Sequence, residues 1–106
     1  TITGNSSAQV IDTFSVSTYR SAKYYIQISD ATADRYTIID ANVTHNGTNA
    51  FVSTFGAATN GDGDGSTIYD SIDLSADING GNVRLLGTVN NTNNQVIKLV
   101  KRVIKV

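Results

Sequence analysis

From Ala22 to Asp30 the chain alternates without a break: Ala22, Tyr24, Ile26 and Ile28 fall on one side of an extended backbone, Lys23, Tyr25, Gln27 and Ser29 on the other. This predicts a strand with one buried face. Ahead of it, Val10, Phe14 and Val16 share one parity with Asp12 intruding, which predicts a strand from about Gln9 to Ser17 with Asp12 at a rim. Ala31 to Asp34 then turn the chain into a strand from Arg35 to His45, where Ile39, Ala41 and Val43 oppose Asp40, Asn42 and Thr44. Tyr36 and Ile38 have the wrong parity for that face, and a β-bulge near Ile38 would bring them onto it. Asn46-Gly47 is the strongest hairpin signal, because both residues tolerate the positive φ of a tight primed turn.

Ala50 to Thr59 should run back antiparallel, with Phe51 and Phe55 on one face and Val52 and Thr54 on the other. Asn60 to Ser66 alternates glycine with polar residues and reads as a loop. Thr67 to Ile78 is extended, and in its second half Ile72, Leu74, Ala76 and Ile78 oppose Ser71, Asp73, Ser75 and Asp77. Asn79 to Asn82 turn into a strand from Val83 to Val89, and Asn90 to Asn94 turn again. Gln95 to Val106 is rich in β-branched residues, with Lys98, Lys101, Arg102 and Lys105 on both faces, as suits a strand near a sheet edge. Seven strands with short turns and no helical stretch predict an all-β fold, an antiparallel β-sandwich, with a small β-barrel as the alternative. Ile26, Ile28, Leu74 and Leu85 should be central to its core.

Composition sharpens this picture. The 106 residues suit one domain, with a flexible arm over 1–8 and the sandwich over 9–106. Thr1 has no methionine or leader before it, so the chain reads as a processed product or a domain cut from something longer. All nine acidic residues are Asp, and there is no Pro, Cys, Met or Trp, which closes thiol catalysis, disulfides and cysteine–metal sites. A net charge of −1 argues against nucleic acid as a partner, and no apolar run approaches the roughly 20 residues of a membrane helix.

Little catalytic chemistry is visible. His45 is the single histidine, no nucleophile-elbow pattern accompanies it, and at a strand end it reads as a solvated turn residue. Asp73 and Asp77 share a parity with Ser71 and Ser75 and read as the wet face of a strand more simply than as paired catalytic carboxylates. Asn60, Asp62 and Asp64, spaced by glycines, resemble the opening of a calcium loop, with Asp70 or Asp73 placed to complete the shell. Ser71 stands where such a loop needs a bidentate glutamate. Calcium is therefore a candidate ligand and no other cofactor is expected. Four Asn-x-Ser/Thr triplets, at Asn5, Asn42, Asn46 and Asn90, follow from composition. Between Arg35 and Arg84 lie six Asp and no Lys or Arg, whereas four of the eight cations crowd into Lys98 to Lys105. These zones either mate between neighbouring copies or neutralise one another within one fold.

Asp12-Thr13-Phe14-Ser15, the run from Tyr19-Arg20-Ser21-Ala22 to Ile28, and Gly80-Gly81-Asn82-Val83-Arg84-Leu85-Leu86 resemble, in that order, a C-terminal β module of virion structural proteins of marine tailed phages, cyanophages among them. The resemblance runs from about Asp12 to Val106; the Asp-rich stretch from Asn60 to Ser66 departs from it. It implies a non-enzymatic part of a virion, in capsid decoration, neck, tail or fibre, whose partners are other copies of itself and other virion proteins. The alternative is a carbohydrate-binding or adhesive module for a host-surface glycan, motivated by surface tyrosines such as Tyr25 and the Asn/Asp-rich loops. Arg20 either stacks on a tyrosine ring and fixes the corner between the first two strands or stands exposed on a loop.

Overall fold

The computed structural model describes Gly4 and residues 7–59, 72–89 and 92–106. Within them the chain forms seven strands: β1 (Gln9–Ser15), β2 (Tyr19–Asp30), β3 (Arg35–His45), β4 (Ala50–Thr59), β5 (Ile72–Asn79), β6 (Asn82–Val89) and β7 (Val96–Lys105). All pairings are antiparallel, in a three-stranded sheet of order β1-β6-β5 and a four-stranded sheet of order β4-β3-β2-β7. The sheets stay open and face each other, so the fold is a β-sandwich and not a barrel.

The core follows the alternation. Ala22, Tyr24, Ile26 and Ile28 of β2 and Ile39, Ala41 and Val43 of β3 are buried against Phe14, Ile72, Val83, Leu85 and Val89 of the other sheet. Leu74 is half-buried and packs on this cluster. Residues Ile97 and Leu99 pack on it from β7, which lies at a sheet edge beside β2. Of the predicted arm over 1–8, Gly4 donates its N–H to Asn94 Oδ1 at 3.1 Å.

Bulges correct the reading of two strands. In β1, Val10 opposes Leu86 and Asp12 opposes Leu85, so Ile11 is the extra residue. That insertion turns Val10 outward while Asp12 and Phe14 stay on the inner side, so the residue out of pattern is Val10 and not Asp12. No bulge occurs at Ile38: β3 keeps unbroken register with β2. Tyr36 and Ile38 therefore remain outward. The extra residue lies across the ladder in β4, where Asp40 opposes Phe55 and Ile38 opposes Ala58, and Gly56 takes the φ of 67° that the bulge needs.

The hairpins also differ in detail. Gly80 and Gly81, at φ 61° and 80°, make a tight turn between β5 and β6. Asn46 to Asn49 instead form a four-residue connection, in which Asn46 Oδ1 accepts the N–H groups of Thr48 and Asn49 at 2.9 and 2.8 Å.

Candidate functional site

Strand parity decides what the four-stranded sheet shows to solvent. From β4 come Phe51, Ser53 and Phe55, from β3 Tyr36, Ile38, Asp40, Asn42 and Thr44, from β2 Ser21, Lys23, Tyr25 and Gln27, and from β7 Val96, Lys98, Val100, Arg102 and Ile104. Seven of these, Tyr36, Ile38, Phe51, Phe55, Val96, Val100 and Ile104, are large apolar or aromatic side chains between 42% and 67% exposed. With strands of 10 to 12 residues, a rise of ~3.3 Å and a spacing of ~4.8 Å give a face of roughly 600 Å². On it the seven apolar side chains are interspersed with Lys23, Asp40, Asn42, Lys98 and Arg102.

The face is not flat. A groove of about 500 Å³ runs between Phe51 and Ile104, floored by Ser21, Thr44, Asn42 and Ser53. Its floor is low because Ser21 and Thr44 are short and satisfy each other across the ladder at 2.9 Å. A second groove, of about 490 Å³, borders Tyr36, Ile38 and Ala58, and a third, of about 210 Å³, lies among Tyr25, Ile38, Lys98 and Val100. Between them Lys23 Nζ sits 4.7 Å from the Phe55 ring centroid and 5.8 Å from that of Tyr25, where the ring quadrupoles hold the cation against the sheet.

The predicted site residues take other places. Asn60, Asp62, Asp64 and Asp70 lie outside the described residues, Asp73 is exposed on β5, and among the described residues no three His, Cys, Asp or Glu side chains gather to hold a metal. His45 is 4% exposed, not solvated. Its Nδ1 accepts the Gly47 N–H at 3.0 Å and its Nε2 lies 2.8 Å from the Tyr19 carbonyl, so the ring proton sits on Nε2 and donates there. The ring also stands 6.3 Å from that of Phe14. Arg20, expected to stack on a tyrosine at the corner between the first two strands, instead donates from a guanidinium nitrogen to the His45 carbonyl at 3.1 Å and ties the start of β2 to the end of β3.

Two charged pairs show where the zones of charge go. Asp12 accepts from the Tyr24 hydroxyl at 2.8 Å and from Lys101 Nζ at 2.8 Å, and Lys101 also donates to the Thr13 carbonyl at 3.2 Å. This ties β1 to β2 and β7 across the sandwich. Burial of the Tyr24 phenol, together with its bond to the Asp12 carboxylate and that group's charge, pushes its pKa well above the tyrosine range. Asp77 takes Arg84 in a bidentate pair at 2.7 and 2.5 Å, and these hydrogen bonds hold its carboxyl below the usual range. So Asp77 is neutralised by its own sheet and Lys101 by Asp12; neither pair joins the acidic middle to the basic last strand. The apolar face itself was missed as a site, although Tyr36, Ile38, Phe51 and Phe55 on the outward parity were its signal.

No protein-family profile matches the chain, and no curated protein sequence matches it. Among solved structures, the tailspike protein of Acinetobacter phage vB_ApiP_P1 has a similar fold: TM-score 0.56 at 18% identity, over all of this chain and 21% of that one. The chain thus spans about a fifth of the tailspike's length, and the arrangement of two open sheets described above also occurs as one part of a phage tailspike.

Proposed function

We propose that this chain is a β-sandwich module of a phage virion, in a tail component such as a spike or fibre, that works by contact with other virion proteins and turns over no substrate. The observation that carries it is the row of seven exposed apolar side chains on the outer face of the four-stranded sheet. Large apolar side chains gathered on one sheet face and rimmed by polar residues mark a surface for contact. The likeness to part of a tailspike and the three phage-like motifs support the setting. The non-catalytic reading is supported by His45, whose two ring nitrogens are both engaged by backbone. Incorporation tests the proposal: the protein should be found in purified particles, and Phe51→Ser with Phe55→Ser should leave the module folded but reduce its incorporation. A folded double variant that incorporates like the wild type overturns the contact role.

A second reading has its own observation. The groove between Phe51 and Ile104 pairs an aromatic wall with hydroxyl, amide and ammonium groups at its floor, the mixture that takes a sugar ring. Under it, the module binds a host-surface glycan. Glycan-array binding that Phe51→Ala abolishes is the result it requires, and an array without signal removes it.

A further inference from the structure

We propose that Asn46-Gly47 is a self-modification site, where the β3–β4 connection converts Asn46 through a cyclic imide into aspartate or isoaspartate. That chemistry needs a base on the Gly47 nitrogen, donors on the Asn46 side-chain oxygen, and open space for ammonia to leave. The connection supplies all three. The Gly47 N–H donates to His45 Nδ1 at 3.0 Å, so the attacking nitrogen already shares its proton with an unprotonated imidazole nitrogen. The Tyr19 carbonyl, 2.8 Å from Nε2, fixes that tautomer and is placed to stabilise the imidazolium that forms. Asn46 Oδ1 accepts the N–H groups of Thr48 and Asn49 at 2.9 and 2.8 Å, a pair of donors aimed where negative charge develops. Asn46 and Gly47 are both exposed, and a Cβ at position 47 would meet no atom within 4 Å, so the space beside the nitrogen is open.

In the first step the Gly47 nitrogen bonds to Asn46 Cγ as its proton passes to His45 Nδ1, and Oδ1 takes the negative charge of the tetrahedral intermediate. The Cγ–Nδ2 bond then breaks, the imidazolium proton goes to Nδ2, and the side-chain nitrogen leaves as ammonia. Water opens the imide at one of its two carbonyls. The product carries a carboxylate at position 46, as aspartate where the main chain is restored and as isoaspartate where it runs through the former side chain. Either product adds one negative charge to the formal −1 of the chain. The chain alters its own residue once and turns over no external substrate, so the step is compatible with a contact role. Asn79-Gly80 provides an internal comparison: it is the same dipeptide, also exposed, in the tight turn between β5 and β6, while the single histidine of the chain is bonded at Gly47.

The test compares the 106-residue chain, its fold checked by circular dichroism, with an end-blocked peptide of residues 44–49, which holds the same His-Asn-Gly sequence without the hairpin. Both are incubated at neutral pH, and peptide mapping by mass spectrometry follows aspartate and isoaspartate at position 46 and, in the chain, at position 79. Asn46 in the folded chain should convert at least about tenfold faster than in the peptide, and should lead Asn79. His45→Gln keeps a side chain that forms hydrogen bonds but takes no proton, and in a variant that retains its strand signal the rate at Asn46 should fall at least about tenfold. Conversion of Asn46 no faster than in the peptide, or no faster than at Asn79, overturns the proposal, since the hairpin then gives no acceleration. A folded His45→Gln that converts at the wild-type rate overturns His45 as the base. Where His45→Gln fails to fold, the comparison of chain with peptide still decides.

Discussion

Replacing Tyr24 by phenylalanine removes one oxygen from the place where the two sheets are wired together. Tyr24 is fully buried and donates to Asp12 at 2.8 Å. A hydrogen bond to a charged acceptor contributes about 1.5–3 kcal/mol. The low end applies, because the Asp12 side chain is 26% exposed and keeps Lys101 after the substitution. A loss of about 1.5 kcal/mol corresponds to a fall in Tm of about 6–12 °C for a domain of this size. The pH dependence gives an independent check. The folded phenol has a raised pKa, so its stabilisation is fully present below the unfolded value of about 10 and is lost as pH rises above it, by about 1.4 kcal/mol per unit. The wild type and Tyr24→Phe should therefore differ by the full amount from pH 7 to 9, converge near pH 11 and cross beyond it. A thermal melt at pH 7 and urea unfolding across these pH values, both followed by far-ultraviolet circular dichroism, measure the two effects. A Tm change under about 2 °C at pH 7, or a gap that holds constant through pH 11, refutes the reasoning.

Gly56→Ala should cost about 1–2 kcal/mol, because the bulge holds φ at 67° and a Cβ there meets no atom within 4 Å, so the penalty is conformational alone; a thermal melt reads it. His45→Leu keeps an apolar body beside Phe14 but strips partners from the Gly47 N–H and the Tyr19 carbonyl, and a loss of about 2–4 kcal/mol in urea unfolding is expected. Asp77 has a depressed pKa, so its pairing with Arg84 contributes above the ordinary carboxylate range and is lost as pH falls through the lower folded value. Acid titration of Asp77→Asn should lack that component of the wild-type decline. Phe55→Ser removes a ring that is more than half covered and holds the Lys23 cation, and a loss of about 1–2 kcal/mol in urea unfolding is expected.

Most of the architecture was legible in the chain because side-chain parity in a strand is local. The unbroken run from Ala22 to Ile28 needed nothing beyond its own alternation to specify a buried and a wet face, and the glycine pair at 80 and 81 set a turn by φ alone. The cations scattered through the last strand likewise marked it as an edge. What tertiary structure decided was every feature that needs two strands at once. A bulge is a mismatch in count between partners, so Ile11 and Gly56 emerged only from pairing with β6 and β3, and with them the outward turn of Val10 and the exposure of Tyr36 and Ile38. His45 looked like a turn residue and proved a buried pin, because the Tyr19 carbonyl that receives its proton comes from a strand 26 residues away. The calcium candidates Asn60, Asp62 and Asp64 lie outside the described residues. Which charges meet, Asp12 with Lys101 and Asp77 with Arg84, is a matter of distance after folding, and distance is not encoded in the order of residues.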